Sequence, residues 1–361
     1  MTASDRAEQN LILRCLEPLN AETPPDKLIA FFLTPQASFY IRSHGPTPAL
    51  ADDHRITLGG LVDIPRSYTV AELQTAFATR TVTATMQCAG NRRAHLQIVE
   101  KTSGDPWDVG AIGNAAWTGV ALRDLLAAAG IQDDASFVGT TGADEVNVDG
   151  ETAPFGASIS IAKALEPDVL LAWAMNGEPL TPEHGAPLRL IVPGYAGVRS
   201  AKWLTRIEVR DRPSDAPIQA KDYKLFPSSV AKGDVDWDQG LTIEEMPLNA
   251  AICVPMDGAH VGAGACRIAG YAVAFGRAVS RVEVSVDDGT DWLQAELTAE
   301  PDAPWSWTQW HITVALSPGR HILLVRAVDG AGQMQPERPE TIWNFAGYLS
   351  TAWHRITVTV D

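Results

Sequence analysis

The sequence predicts two folded units in tandem, an α+β domain followed by an all-β sandwich. Three observations carry this prediction. The chain has 361 residues, more than a single core of ordinary size organises. Roughly the first 210 residues mix helical and strand-like periods without the regular alternation of a doubly wound sheet. From about residue 240 onward, short alternating segments follow one another across Asp-Gly and Pro-Gly turns, with no helical period between them.

Residues 1–28 are polar and punctuated by proline, and read as an N-terminal arm laid over the surface. The stretch from Ile29 alternates apolar and polar residues up to Ile41, which predicts a strand running into a loop at Arg42–His44, because Pro46 and Pro48 end the pattern. Thr69 stands three residues before Glu72, the signature of a capping box, and predicts a helix over about 70–79. "TVTATMQ" follows, with Val82, Ala84 and Met86 on one face and threonines on the other, so Cys88 falls at or just past a strand end. "WTGVALRDLLAAAG" reads as an amphipathic helix closed by Gly130. "VLLAWAM" and "APLRLIVPG" read as buried strands. The α+β domain then spans 29–235, ending in the proline-rich stretch 210–237. "RVEVSVDDGTDW", "WHITVAL", "HILLVRAVDG" and "RITVTVD" make 236–361 a sandwich of immunoglobulin-like size.

Charge narrows the function. Lys plus Arg number 28 against 44 acids, a formal charge of −16, which repels nucleic acid and anionic membrane surfaces and attracts a basic protein partner. No apolar run reaches the roughly 18 residues a membrane span needs, and the N-terminus shows neither a signal-peptide apolar region nor a twin-arginine motif, so the chain as given reads as cytoplasmic. Its four cysteines (Cys15, Cys88, Cys253, Cys266) lack zinc-like spacing and are too few for a disulfide scaffold.

Cys88 differs from the other three. It stands at a strand end in "TMQCAGNRRAH", beside Gly90, which permits close backbone approach, and before Arg92 and Arg93, whose fixed charges favour an anionic thiolate. A thiolate is a nucleophile or a soft-metal ligand. His95, seven residues on, is the nearest base in sequence, and spacing alone decides nothing about that pairing.

"MQCAGNRR" resembles the molybdenum-ligating segment of the sulfite oxidase family. "FYIRSHGPTP", "GAIGNAAWTGVALRDLL", the long run from "FGASISIAKAL" to "GVRSAKWL", "GLTIEEMPLNAAI" and "IWNFAGYLSTAWHRI" resemble family segments in the same order, from about residue 20 to the end. The resemblance implies a molybdopterin domain followed by an immunoglobulin-like dimerisation domain, hence a homodimer. It implies a molybdenum-molybdopterin cofactor with Cys88 as the protein's metal ligand, and cofactor contacts at Ile41, Arg42, Ser43, His44, His184, Arg189, Ser200, Ala201 and Lys202. For the substrate pocket it implies Arg42, Arg93, Trp107 and Arg355, guanidinium groups being suited to a small oxyanion. Where sulfite-oxidising members carry tyrosine before "GASI", this chain has Phe155, which keeps the ring and removes a hydroxyl. A family aspartate ahead of that segment falls on Thr141 or Asp144.

The implied reaction is oxidation of sulfite to sulfate, with electrons passed to a separate acceptor, a basic cytochrome or oxygen, since the chain has no CxxCH haem motif. The alternative, raised by Phe155, is another sulfur compound or oxyanion, through nitrate-reductase-like or sulfoxide chemistry. A binding module without activity is the contrasting class, and the retained Cys88 and arginines speak against it.

Overall fold

The computed structural model describes residues 10–51 and 53–361. The N-terminal half is built on two sheets. One runs Glu178–Pro179, Leu170–Met175, Ile112–Ala121, Thr79–Gln87, with Arg189–Ile191 also paired to Leu170–Met175. The other runs Arg66–Tyr68, Ile56–Gly60, Leu204–Arg210, Phe137–Val148, Glu151–Ser160, and within it only Ile56–Gly60 and Leu204–Arg210 pair in parallel. Helices are short and sit at strand ends, as α+β predicts. The C-terminal half is a four-stranded and a five-stranded sheet packed face to face, Ile252 and Ile268 of the first meeting Val282, Val325 and Val358 of the second in one buried cluster.

The Thr69/Glu72 capping box forms in full and starts the helix Val70–Ala76, which ends three residues early because Phe77 is already extended. Gly130 closes the helix Leu122–Ala129 at φ 71°. The helix is shorter than its periodicity predicts. Residues 117–121 belong instead to the strand Ile112–Ala121, where pairing on both sides to Thr79–Gln87 and Leu170–Met175 overrides a local pattern compatible with either state.

Two other expectations fail. No strand forms over 29–41: Pro35 opens a single 3₁₀ turn at Gln36–Ser38, and Ile41 makes only an isolated bridge to Ala21. Nor are residues 10–28 a surface arm, the first nine lying outside the described residues. The hairpin Ile12–Cys15/Asn20–Glu22 and the turn Pro25–Leu28 are inserted into the domain, with Asn20, Ala21, Glu22, Thr23 and Leu28 all buried. Leu28 reaches Tyr271 and Trp307 of the sandwich in a cluster that joins the two halves.

Glu22 shows what this insertion costs. Its carboxylate accepts hydrogen bonds from the backbone N–H groups of Asp108 (3.0 Å) and Gly110 (3.2 Å) and pairs with Arg14, yet burial outweighs them and pushes its pKa from 4.5 up to about 7. The protonated form therefore suits the fold better. That contribution is complete below pH 4.5 and lost as pH rises through about 7, on the order of 3 kcal/mol. Glu22→Gln is expected to flatten the dependence of thermal stability on pH across this window. An unchanged slope in unfolding scans would contradict it.

The boundary near residue 236 is not a clean separation. Tyr223 and Phe226 of the proline-rich stretch join the core of the first half, and so do Trp343, Phe345 and Tyr348 from a loop of the second. This returning loop brings residues 343–348 to the site.

Candidate active site

Five of the six residues of the "CAGNRR" run have separate tasks. The strand Thr79–Gln87 ends opposite Ile112, and the Cys88 N–H extends the pairing by one bond to Ala111 O (2.9 Å). The chain then turns back through Asn91 N–H to Cys88 O, and the Gly90 N–H points at Cys88 Sγ at 3.4 Å. Asn91 accepts from the Ala111 N–H and donates to Tyr271 Oη of the sandwich at 2.8 Å. Arg92 takes a left-handed φ of 64° and sends its buried guanidinium to Asn249 Oδ1, Ala250 O and Ala352 O. It clamps the two halves together, so the expectation that both arginines act on the thiol fails. Arg93 turns the other way and donates from Nε to Ala346 O and from Nη1 to Asp105 O, both 2.9 Å. Its slot is made of glycines: a Cβ at Gly90, Gly104 or Gly347 would stand 2.5–2.8 Å from its side chain. The close approach that Gly90 permits is thus to Arg93.

Cys88 lines a cleft together with Arg42, Ser43, His44, His184, Arg189, Ser200, Ala201 and Lys202. Eight of the nine expected cofactor contacts therefore gather around the thiol. The ninth, Ile41, does not: its side chain packs with Leu11 and Ala21 against the inserted hairpin. Ser43 is fixed by the inserted hairpin, its N–H donating to Asn20 Oδ1 at 2.8 Å, and its hydroxyl accepts from Lys202 Nζ at 2.8 Å. Lys202 also donates to Glu183 O, and burial beside Arg189 holds its pKa well below the usual lysine range. Arg189 donates to His184 O and Ser200 O, while its Nε is buried without a partner. Both ring nitrogens of His184 are engaged, Nδ1 with Thr181 Oγ1 and Nε2 with Phe39 O, and burial beside Arg189 and Lys202 lowers its pKa to about 3. His184 is neutral and shapes the cleft. It has no N–H left to give a ligand.

Thr141 and Asp144 are placed differently. Thr141 stays in strand pairing with Arg206 and Gly156 just before an irregularity in the register, whereas Asp144 turns into the cleft. Burial raises its pKa to about 6 against the pull of Lys202, and its Oδ1 lacks a hydrogen-bond partner.

A wider funnel of about 1060 Å³ continues outward from the cleft, Arg42 and His44 lining both. Arg93 and Tyr348 line its wall, the guanidinium 5.3 Å from the Tyr348 ring centroid. No carboxylate pairs with Arg42 or Arg93 among the described residues, so both keep their charge for an incoming anion. Phe155 lines the cleft, its ring 5.7 Å from that of His44. Trp107 is fully buried and packs in one apolar cluster with Cys88, its Nε1 unpartnered.

Arg355 is elsewhere. On the strand His354–Val360 the side chains alternate, and while His354 points into the core Arg355 faces out, half exposed and paired with Asp288. It lines a groove with Trp292 and Trp353 that does not include Cys88. Three cleft or funnel residues had no sequence signal of their own: Tyr40, Tyr223 and Tyr348. Tyr223 sits in the stretch read as a linker, and Tyr348 in a loop of the other half.

Comparison with known proteins agrees with this architecture. The chain matches the oxidoreductase molybdopterin binding domain over residues 44–218 and the Mo-co oxidoreductase dimerisation domain over 241–361. It is 38% identical to the sulfite oxidase of Arabidopsis thaliana, covering 96% of this chain and 93% of that protein. It is 41% identical to the sulfite oxidase of Gallus gallus, covering 94% and 76%. The crystal structure of the sulfane dehydrogenase SoxCD from Paracoccus pantotrophus superposes with a TM-score of 0.82 at 25% identity, covering all of this chain and 92% of that one. The chain is a molybdenum oxidoreductase that uses a molybdopterin cofactor and belongs to the sulfite oxidase family.

Proposed function

We propose that the protein oxidises sulfite to sulfate. The observation that carries this reading is a buried thiol, Cys88, in a cationic cleft that opens through two unpaired arginines. The residues fit the cofactor. Arg42, Arg189 and Lys202 bring three cationic side chains to the cleft wall, and the partners of Lys202 are a hydroxyl and a backbone carbonyl, neither of them charged. The unpartnered Arg189 Nε and Asp144 Oδ1 are a donor and an acceptor left for a polar ligand. Lys202, Arg189 and Ser43 would hold the phosphate-bearing pterin, and Cys88 the metal.

Bound there, the cofactor supplies oxygen-atom transfer coupled to a two-electron change. The chain's own part is to bind and orient. Arg42 and Arg93 draw a small dianion into the funnel and hold it by charge-assisted hydrogen bonds. The glycine slot keeps Arg93 from swinging to meet it, so little side-chain entropy is lost on binding. Phe155 and Tyr40 bring aromatic rings to the cleft wall, and Trp107, which does not reach the cleft surface, packs in the apolar cluster behind Cys88; an apolar lining strengthens each charge interaction beside it. Electrons leave to an external acceptor. A net charge of −16 suits a basic cytochrome, and oxygen is the other acceptor in view. The sandwich, read as immunoglobulin-like, is proposed to pair two copies of the chain.

A second reading, another sulfur compound or oxyanion, rests on Phe155, which offers no hydroxyl to the substrate. Turnover of sulfite, nitrate and an organic sulfoxide separates the two. Sulfite is expected to be oxidised well above a cofactor-free control, with nitrate and sulfoxide reduced far more slowly. Sulfite turnover no better than the control would refute the first reading.

A further inference from the structure

The turn that carries Cys88 is fastened to the sandwich by a single phenol. Cys88 and Asn91 both close on Ala111: the Cys88 N–H donates to its carbonyl at 2.9 Å, and Asn91 Oδ1 accepts from its N–H at 3.0 Å. The Asn91 amide thus stands in for the next rung where the strand Thr79–Gln87 has stopped. Because its oxygen is committed to a backbone N–H, the atom 2.8 Å from Tyr271 Oη is its Nδ2. The phenol accepts from Asn91 and gives its own proton to Val109 O at 3.0 Å.

Tyr271 is a firm anchor. It lies on the sandwich strand Gly264–Val273, fully buried, with its ring stacked on Trp307 at 6.0 Å and 21° and its carbonyl accepting from Trp310 Nε1 at 3.0 Å. Burial raises its pKa, so the hydroxyl keeps its proton and remains a donor. The surrounding cluster is apolar, with Val109, Ile112 and Trp307 in it, which makes an unmet hydrogen bond there costly. On the other side of the turn, the Asn91 N–H donates to Cys88 O at 3.0 Å, and the group that points at Sγ, the Gly90 N–H, belongs to the same turn. A rotation of Asn91 is therefore passed to Cys88 through one tight turn, and the direction of Sγ follows.

We propose that Tyr271 is a positioning residue for Cys88: through Asn91, its hydroxyl sets the direction in which the sulfur meets the metal, so the sandwich takes part in the chemistry of the other half. The inference rests on Cys88 being the metal ligand, and the experiment separates the two.

Wild type, Tyr271→Phe and Ser280→Ala are compared. Ser280→Ala is the control, removing a sandwich hydroxyl that donates to Val328 O at 3.0 Å and Asp329 O at 2.9 Å, on another strand. In the cofactor-free protein, Tyr271→Phe is expected to speed hydrogen exchange at the amides of residues 88–93 by about 10-fold, the loss of one or two hydrogen bonds. In the holoenzyme it is expected to lower kcat per molybdenum by about 10-fold, the low end for an outer partner of a metal ligand. KM for sulfite stays within about twofold, because Arg42 and Arg93 are untouched. The paramagnetic resonance spectrum of the half-reduced metal is expected to shift, since it reports the torsion of the thiolate, with molybdenum per chain unchanged. Ser280→Ala is expected to match wild type in exchange at 88–93, kcat and spectrum. Tyr271→Phe with wild-type kcat and spectrum, changes that Ser280→Ala reproduces, or a loss of molybdenum would each overturn the assignment. Cys88→Ser that keeps its molybdenum would overturn the ligand reading, and this inference with it.

Discussion

Cys88→Ser is expected to give a folded protein with almost no molybdenum and with sulfite turnover lower by about 10³-fold or more. The estimate starts from the 10–100-fold that outer partners of a metal ligand cost, and a ligand itself costs more. The substitution exchanges one atom at a site 5% exposed, so packing changes little and stability falls by about 1 kcal/mol. The N–H of Gly90, which points at Sγ, meets an oxygen equally well. What changes is softness: a hydroxyl is a poor donor to a metal that thiolates select. Elemental analysis and thermal unfolding on the same preparation separate the effects. A variant that keeps molybdenum and turns over within tenfold of wild type would remove Cys88 from the ligand set.

The capped helix at Val70–Ala76, the strand before Cys88 and the strands of the sandwich were legible because each carries its signal within ten or so neighbouring residues. Residues 29–41 and 117–121 misled for the same reason. A short apolar alternation is decided by whether a partner strand is available, and residues 29–41 find only the isolated bridge of Ile41 to Ala21. The site divides along the same line. Cys88 and the cationic cleft residues could be placed from ordered segments. The direction of a side chain could not: Arg92 and Arg93 are adjacent, yet a single left-handed residue at Arg92 sends one guanidinium to the sandwich and leaves the other at the funnel. Arg355 failed by strand parity, since its neighbour His354 is the residue that faces the interior. Tyr223 was hidden because its place in the cleft wall depends on stacking with Tyr348, 125 positions further along the chain and in the other half.

Lys202→Met is expected to act in opposite directions on the two states of the protein. Lys202 donates to Ser43 Oγ and Glu183 O and lies over the Trp203 ring at 4.0 Å, and burial, with Arg189 close by, holds its pKa well below the usual lysine range. Its depressed pKa means that the unfolded chain holds this proton more readily than the folded one, so the charge opposes folding at neutral pH and the opposition eases as pH rises. Methionine has a similar length and no charge to desolvate, so the cofactor-free variant is expected to be at least as stable as wild type. The loaded protein differs, because a phosphate-bearing ligand brings Lys202 an anion beyond the nearby Asp144 carboxyl. Removing one charge-assisted bond, about 1.5–3 kcal/mol, loosens cofactor retention by about 10–100-fold. Cofactor release during dilution, followed by molybdenum content, measures the second effect, and unfolding of the cofactor-free protein the first. A residue that merely supported the fold would lose stability in both states. A variant that retains cofactor as well as wild type would take Lys202 out of the cofactor site, and would leave the Arg189 Nε as the cleft's remaining buried donor for the anion.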